Sequence, residues 1–379
     1  MVFHKIDFAS LKMSSFDQET FLKDSVSYSE NSILYFFDFE KITLEHKPGW
    51  LKWLPKTIHF FYPKNSILQN RLRLLWLSIF FGQFLFLFSF ICVFYRPRVC
   101  WTEVAPVSWM FGIAKKLGLC KQSIYCSGDW LANQKKKGVL GWFANDFVWV
   151  QTDYFAVIYC DLLINYSIEC KKARENRWGK RLSVCEYDRF PPPIDIYNKA
   201  FKNQGSYICF IGQVRENSGL QQLLPLLKNL NDNLGIKLKI IGPNSTYRKI
   251  IEDQIENMGI ENLVELHGWL NQNDLKLVMQ ECFCGINLLT SQSYSDYAIP
   301  GKNIQYMQML IPLLVTSNNN MNSTIKEYKL GYVLNVKLES LHEAILHLFE
   351  NQKHYRDNIE KYGVLYRSKT ITEYLSMIQ

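Results

Sequence analysis

The sequence predicts an α/β protein with two doubly wound, Rossmann-like domains that face each other across a cleft. Apolar strand-like runs alternate with helical runs, a pattern typical of parallel sheets covered by helices on both faces. The chain has 379 residues, more than the roughly 250–300 that one hydrophobic core usually serves. Three consecutive prolines, Pro191 to Pro193, indicate a stiff linker. The domain boundary is therefore expected near residue 193.

The first domain is assigned to residues 1–192, and its first thirty residues show only weak patterning. They are interpreted as a loose leader or a short peripheral helix. Predicted strands in this domain are 32–37, 57–61, 90–95, 98–102, 123–126 and 162–165. Predicted helices lie near 65–81, 107–117, 140–158 and 168–178. Met1 to Ser29 contains no apolar core of the kind found in signal peptides, so a cytoplasmic location is expected.

Residues 74–95 form a run of 22 positions without a charged side chain, which is long enough to span a bilayer. A buried helix followed directly by a buried strand would produce the same run in an α/β domain. A third interpretation places the helix on an anionic membrane surface, because Lys64, Arg71 and Arg73 flank it. The sequence leaves all three interpretations open.

The second domain is assigned to residues 193–350, where the strand–helix alternation is most regular. Predicted strands are 207–211, 237–241, 263–266, 285–289, 313–316 and 332–334. Predicted helices lie near 219–230, 245–258, 272–281, 302–309 and 321–328. Residues 351–379 are predicted to be helical and to pack back toward the first domain. Ligands of paired doubly wound domains bind at the carboxyl ends of the strands, so the candidate residues are sought there.

The charge is uneven along the chain. Residues 1–190 contain 25 Lys and Arg against 17 Asp and Glu, a net charge of +8, whereas residues 191–379 contain 18 of each. A basic first half suggests an anionic partner, and a membrane surface fits better than nucleic acid because no nucleic-acid module is recognisable. The ten cysteines include no Cys-x-x-Cys pair, and the histidines form no metal-ligand pair. Free thiols in a reducing compartment and the absence of a metal site are therefore predicted.

The strongest candidate site begins at Pro300, Gly301 and Lys302. A proline and a glycine before an amphipathic run predict a helix N-terminus, whose free N–H groups and partial positive charge attract anions. Lys302 adds a full positive charge, so the segment is suited to hold a phosphate. An ordinary loop–helix junction without a ligand can have the same residues, so this alternative stays open.

Other candidates follow predicted strands. Gly212 allows a close backbone approach and Arg215 is suited to pair with a phosphate, while Gly242 repeats the pattern one strand later. His267 ends a third strand and is a candidate for a nucleobase pocket, with rim packing as the alternative. Asp129 follows a first-domain strand, where a carboxylate can act as a base toward an acceptor hydroxyl. A helix N-cap or a solvated loop is the alternative for Asp129 and is favoured for the similarly placed carboxylate of residue 103.

The second half of the chain resembles the donor-binding domain of GT-B glycosyltransferases, most closely glycosyltransferase family 4 and its bacterial polysaccharide branch. The matching segments, in order through residues 205–350, are FIGQVRENSGLQQLLPLL, LKIIGP, VELHGWLNQNDLKLVMQECFCGINLL and IPGKNIQYMQMLIPLLVTS. The first domain is similar more loosely, through SIYCSGDW and CDLLINYSIECKKARENRWG.

This resemblance implies transfer of a sugar from a nucleotide-sugar to a glycan or a lipid-linked acceptor in bacterial surface polysaccharide synthesis. The basic first domain and its apolar helix near 65–82 are expected to dock on the inner face of the membrane, where lipid-linked acceptors are found. The resemblance implies no cofactor and no metal, because the nucleotide-sugar is a co-substrate. The donor site is then assigned to Gly212, Gln213, Gly242, His267, Pro300, Gly301, Gln305 and Tyr306. Catalysis is assigned to Asp129, Lys302 and Arg215.

The chain departs from the family pattern at several of these positions. The family commonly has Arg and Lys where this chain has Gln213 and Ser218, and its paired glutamates fall on Tyr297 and Gln305. Glutamine can still hydrogen-bond the ribose hydroxyls, and Arg215 is a candidate to replace the missing cation. A rival hypothesis therefore stands beside the enzyme: a GT-B binding or scaffold protein of the same pathway that has lost turnover.

Overall fold

The structure is a computed structural model that describes residues 6–13, 18–37, 41–59, 82, 85–127, 149–179, 183–185, 205–289, 297, 299–318, 320–366 and 369–378. The chain divides into two compact units, the first comprising Met1–Tyr187 with Lys369–Gln379 and the second Asp188–Ser368. Each unit is an α/β structure built around a largely parallel sheet, which confirms the predicted fold class. The predicted linker at Pro191 to Pro193 lies outside the described residues.

The first unit contains an eight-stranded sheet in the order β4-β3-β2-β1-β5-β6-β7-β8. Its strands are β1 (Phe8–Met13), β2 (Ser32–Phe37), β3 (Lys41–His46), β4 (Thr57–His59), β5 (Val99–Thr102), β6 (Gln122–Ser127), β7 (Leu162–Asn165) and β8 (Ser183–Cys185). Its helices before the linker are α1 (Gln18–Tyr28), α2 (85–95), α3 (Ala105–Lys116), α4 (Val150–Tyr159) and α5 (Ile168–Trp178). Strands β3 and β4 run antiparallel at one edge, and the other strands are parallel.

Apolar side chains cover both faces of this sheet. In β2, Ile33 and Tyr35 belong to one core cluster, and Leu34 and Phe36 belong to another. Successive strand residues point to opposite faces, so a continuous apolar run is what a strand buried on both sides requires. This is why the sequence located β2 correctly.

Two predictions for the first unit were wrong. Residues 1–30 were assigned to a loose leader or a short peripheral helix, but β1 is an interior strand between β2 and β5, and the helix α1 packs its Phe21 into the core beside it. Strand β1 carries the buried polar residue Ser10, so its sequence lacks a clear apolar signal. Residues 90–95 were predicted to be a strand, but they form the end of α2. Phe88, Ile91 and Cys92 are its buried face, at helical spacing.

The uncharged run at 74–95 is only partly described, since residues 74–81, 83 and 84 lie outside the described ranges. So does the whole of the helix predicted at 65–81. Among the helices that the structure does describe, none combines the length and the apolarity needed to cross a bilayer.

The second unit contains a six-stranded parallel sheet in the order β11-β10-β9-β12-β13-β14. Its strands are β9 (Tyr207–Ile211), β10 (Lys237–Ile241), β11 (Val264–His267), β12 (Cys282–Asn287), β13 (Leu313–Thr316) and β14 (Gly331–Leu334). Its helices are α6 (Leu220–Leu223), α7 (Leu227–Leu234), α8 (Thr246–Met258), α9 (Gln272–Met279), α10 (Gly301–Gln308), α11 (Asn322–Glu327), α12 (Leu341–Glu350) and α13 (Gln352–Leu365). The strand order reverses between β9 and β12, the place where ligands of doubly wound sheets bind.

The C-terminal segment is shared between the units, whereas the sequence assigned all of residues 351–379 to packing with the first domain. Helix α13 joins the second unit, where Tyr355 enters the core and the Gln352 amide exchanges two 3.0 Å hydrogen bonds with the backbone of Gly205. Helix α14 (Ile371–Ser376) joins the first unit, and its Tyr374 ring lies 5.5 Å from the ring of Trp101. The aromatic and apolar side chains of α14 complete the first core.

All ten cysteines are free thiols, and eight of them are buried. In the second unit, burial raises the pKa of Cys209 and Cys284 well above the usual value. These thiols are protonated and behave as small apolar side chains. Free thiols agree with the prediction from their spacing.

Candidate functional site

Backbone hydrogen bonds connect the ends of β9, β10 and β11 at the carboxyl end of the second sheet. The amide of Gly212 donates to the Ile241 carbonyl at 2.8 Å, and the amide of Gly242 donates to the His267 carbonyl at 3.3 Å. A Cβ atom at Gly242 would lie 2.1 Å from the Gly212 carbonyl oxygen. No side chain fits in that space, so the approach of these two loops requires glycine at position 242.

Lys302, in the first turn of α10, lies over the end of β9. Its Nζ is 4.4 Å from the centre of the Phe210 ring, and a Cβ atom at Gly212 would be 3.9 Å from it. Gly212 has φ +114°, a conformation that side chains rarely adopt. Two predicted site residues, Gly212 and Lys302, are therefore brought together across the point where the strand order reverses.

Lys302 is half-buried. Burial and, to a smaller extent, the positive charge of Arg215 together lower the pKa of Lys302 to about 8. Arg215 itself is exposed and donates a 3.2 Å hydrogen bond to the exposed Gln213 side chain. Among the described residues, no carboxylate forms an ion pair with Lys302 or Arg215. Two cations that repel each other in this position favour an anion between them.

The N-terminus of α10 adds backbone dipoles to this positive charge. Pro300 is its N-cap, and no side chain caps the first turn. The backbone amide of Asn303 donates a 2.9 Å hydrogen bond to the Pro300 carbonyl. The buried Asn287 side chain in β12 donates to the side-chain oxygen of Asn303 at 3.0 Å. The helix is thereby held to the sheet while Gly301 stays exposed. Gln305 lies one turn further along and is half-buried.

Tyr306 was assigned to donor contact, and this was wrong: the ring is completely buried under the sheet. Its hydroxyl accepts a 2.9 Å hydrogen bond from the Ile211 amide and lies 3.2 Å from the carbonyls of Cys209 and Ile286. The ring fills the space beside Gly285, where a Cβ atom would lie 2.3 Å from it. Tyr306 thus fastens α10 to β9 and β12, directly before Gly212.

We expect Tyr306→Phe to lower the free energy of unfolding of the second unit by about 1–3 kcal/mol, because it leaves the Ile211 amide buried without a partner. The loop at Gly212 should loosen at the same time, and binding of the site's anionic ligand should weaken. Denaturant unfolding and ligand titration measure the two effects. Tyr332→Phe, half-buried on β14, is the matched control. Equal stability of the two variants would show that the Tyr306 hydroxyl does not hold this loop.

Arg248 is a rim residue that sequence reasoning missed. Its Nη1 donates to the carbonyls of Gly242 and His267, both at 2.6 Å, while its Nε pairs with Glu252 at 2.8 Å. The guanidinium is buried and therefore fixes the ends of β10 and β11. The only available signal was an Arg with a Glu four positions later on a predicted helix, a spacing that usually indicates surface pairing.

His267 and Ser218 have local roles. The His267 side chain lies 3.4 Å from the carboxylate of Glu265, two residues earlier on β11. Ser218 is buried, so its hydroxyl does not take the place of the lysine common in the family. Lys302 is the described cation that lies beside Gly212, and the charge of Arg215 acts on it.

Of the two acceptor-side candidates, the structure describes only Glu103. Asp129 lies outside the described residues. Glu103 follows β5 as predicted and accepts a hydrogen bond from the Tyr166 hydroxyl. Within the described ranges, no group of three or more His, Cys, Asp or Glu side chains is arranged to hold a metal ion.

A buried polar network, which the sequence did not reveal, lies at the carboxyl ends of β6 and β7. Arg174 on α5 pairs with Asp153 on α4 at 3.0 Å, and donates to Ser127 at 2.7 Å and Asn165 at 3.1 Å. The Tyr125 hydroxyl donates to Asp153 at 2.6 Å. Burial alone would lower the pKa of Arg174, but Asp153 more than offsets it and raises the pKa above its usual value.

Solved structures share this two-unit architecture, which is the GT-B fold. Anabaena HepE in complex with UDP has 13% identity and a TM-score of 0.64, covering 98% of this chain and 99% of that one. Sucrose-phosphate synthase from Thermosynechococcus elongatus has 12% identity and a TM-score of 0.60, covering 98% and 96%. WaaG, a glycosyltransferase involved in lipopolysaccharide biosynthesis, has 12% identity and a TM-score of 0.59, covering 98% and 99%.

Within that fold, residues 195–364 match the family model of glycosyl transferases group 1. The match covers α10 and the loops after β9, β10 and β11, which are the elements that surround Lys302. No curated protein matches the chain significantly in sequence.

Proposed function

We propose that the protein is a glycosyltransferase of the hexosyltransferase kind, which moves a sugar from a nucleotide-sugar to a glycan or lipid-linked acceptor in bacterial surface polysaccharide synthesis. One observation carries the proposal: Lys302, with its depressed pKa, lies beside Gly212 and near Arg215 at the start of α10. A diphosphate supplies the negative charge that this arrangement favours. The family match over residues 195–364 supports the same reaction class.

In this reaction the bond between the sugar and the diphosphate breaks, and the leaving diphosphate gains negative charge. The N–H groups at Gly301 and the ammonium of Lys302 are already in place, so they stabilise that charge without reorganising. Arg215 reaches the same region from the other loop. We assign to Gln305 the ribose hydroxyls, and to Gly212 and Gly242 the close approach of backbone to the donor.

The acceptor side rests on the sequence alone. We assign to Asp129 the acceptor hydroxyl, as general base if the anomeric configuration inverts and as a positioning group if it is retained. No metal is proposed, since two basic side chains and a helix N-terminus supply the positive charge.

The proposed function is tested by titrating UDP, GDP and their sugars into the protein by calorimetry at several pH values. The Lys302 ammonium is fully charged below pH 7 and loses its proton as the pH rises through about 8. A bound diphosphate raises that pKa toward the usual value of about 10.4. Binding should therefore take up a proton near pH 8, and the affinity should fall about tenfold between pH 7 and pH 9.

Lys302→Met is the control for this pH dependence, because Arg215 stays charged throughout the range. Binding by the variant should be weaker and nearly independent of pH. Nucleotide binding without a pH dependence in the parent protein would place the diphosphate away from Lys302. Failure of every nucleotide to bind would exclude the enzyme.

The second candidate is a GT-B binding or scaffold protein without turnover. It is favoured by the departures at Gln213, Ser218 and Tyr297, and in particular by the burial of Ser218. Such a protein would bind a nucleotide-sugar in the titration but release no nucleotide on incubation with acceptor-containing membranes.

We also propose that the protein works in the cytoplasm, peripherally on the inner face of the membrane. The net charge of +8 in residues 1–190 supports an anionic surface as partner. The helix that the sequence assigned to this contact, near 65–82, lies outside the described residues except for Gly82.

A further inference from the structure

Aromatic side chains from α2 and from the loop before β4 form one continuous surface on the first unit. This aromatic surface consists of Trp50, Trp53, Phe90, Phe94 and Tyr95, which ring contacts connect, and of Phe86, which lies one helical turn before Phe90 on α2. The ring centres of Trp50 and Tyr95 are 5.4 Å apart, those of Trp53 and Phe90 are 5.2 Å apart, and those of Phe90 and Phe94 are 4.2 Å apart. Contacts between neighbouring rings preorganise the surface.

The aromatic surface is open to solvent although α2 is well anchored. Phe88 and Ile91, on the opposite side of the helix, are completely buried in the first core. On the outer side, Phe86 is 74% exposed, Trp53 49% and Phe94 45%. Exposed apolar patches of this kind mark sites of membrane or protein contact. The helix is therefore apolar on both sides, and only its inner side is used by the fold.

The polar atom of Trp53 is already satisfied within the surface. Its indole Nε1 donates a 3.1 Å hydrogen bond to the Tyr95 hydroxyl. Moving these rings out of water therefore leaves no indole donor without a partner. Tryptophan and tyrosine rings with this combination of apolar body and polar edge are favoured at the boundary between lipid and water.

The segment of the sequence that carries the aromatic surface is basic. Between Glu45 and Glu103 the sequence contains eight Lys and Arg and no Asp or Glu. Two of these, Lys52 and Arg96, are exposed and directly adjoin Trp53 and Tyr95 in the chain. Basic residues beside an apolar surface are attracted to anionic lipid headgroups. A second copy of the same surface would instead bring like charges together, which disfavours self-association.

We infer that the aromatic surface docks on an anionic lipid bilayer, with the rings at the level of the headgroups and Lys52 and Arg96 against lipid phosphates. This inference rests on the proposed peripheral location at the membrane, and it names the residues that make the contact. It does not depend on the donor site of the second unit, so the two can fail separately.

Co-sedimentation with lipid vesicles tests the inference on the full chain. Phosphatidylcholine vesicles containing phosphatidylglycerol should bind the protein, pure phosphatidylcholine vesicles should bind it more weakly, and added salt should release it. The double variant Phe86→Ser and Phe94→Ser should reduce partitioning by about tenfold or more, because both rings lose their insertion into the interface. Lys52→Glu, which leaves the rings in place, should reduce it by about fivefold or more.

The matched control is the double variant Val364→Ser and Leu365→Ser. These side chains are 70% and 71% exposed on α13 in the second unit, so the control removes comparable exposed apolar groups from elsewhere. Its partitioning should equal that of the parent.

Three results would overturn the inference: partitioning of the phenylalanine variant equal to that of the control, no vesicle binding by the parent, or a parent oligomer that the phenylalanine variant dissociates. The last result would identify the surface as a contact between copies. UDP titration of the same variants separates the two proposals, since donor binding should remain at the parental affinity throughout.

Discussion

Lys302→Ala is expected to lower kcat/KM by about 10²–10³, which corresponds to about 2.7–4 kcal/mol of transition-state stabilisation. The substitution removes the cation that lies beside Gly212 at the start of α10. Charge on the leaving diphosphate grows as the bond to the sugar breaks, so the loss should fall on the chemical step. Steady-state kinetics with the donor identified by titration measure it.

The fold should survive this substitution. Arg215 already lowers the pKa of Lys302, so removing the ammonium relieves a repulsion and leaves no partner ion unpaired among the described residues. Lys326→Ala, at an exposed position on α11, is the matched control and should keep the parental rate. Parental turnover by Lys302→Ala itself would mean that the diphosphate binds elsewhere.

Arg174→Met is expected to lower the free energy of unfolding of the first unit by about 3–5 kcal/mol. The guanidinium is almost completely buried, and it pairs with Asp153 while also donating to Ser127 and Asn165. Its removal strands the Asp153 carboxylate in the interior and leaves the ends of β6 and β7 without a shared donor. Denaturant unfolding, followed with a probe in the first unit, measures the loss.

Two further variants show whether the stranded charge is the cause. Lys172→Met, at an exposed position on the same helix, should leave the stability within about 0.5 kcal/mol of the parent. Adding Asp153→Leu to Arg174→Met should recover part of the stability, because the uncompensated charge is then gone. A single Arg174→Met variant as stable as Lys172→Met would contradict the importance of the network.

The regular alternation of the second half made most of that unit predictable. Its six strands are short, four to six residues each, and four of them, β9, β12, β13 and β14, are mostly apolar, because a strand covered by helices is buried on both faces. The first half was harder to predict. Strand β1 contains a buried serine, and α2 is aromatic on both sides, so neither has the periodicity of its own element.

Those features of the candidate site that have a local sequence signature could be predicted. Gly212, Lys302 and the start of α10 were named as candidates because a glycine after a strand and a lysine at a helix start have local signatures. The pairing of Lys302 with Phe210 and the proximity of Arg215 involve residues about ninety positions apart in the sequence. No local pattern encodes such contacts.

Tyr306 shows most clearly what the sequence determined by itself and what only the tertiary structure decided. Its place six residues after Pro300 on a short amphipathic helix was evident from the sequence. Its orientation was decided by strands β9 and β12, where the Ile211 amide donates to the Tyr306 hydroxyl and the carbonyls of Cys209 and Ile286 lie 3.2 Å from it. Local periodicity determines which residues share a helix, whereas the direction a side chain faces depends on where the sheet leaves space and a hydrogen-bonding group.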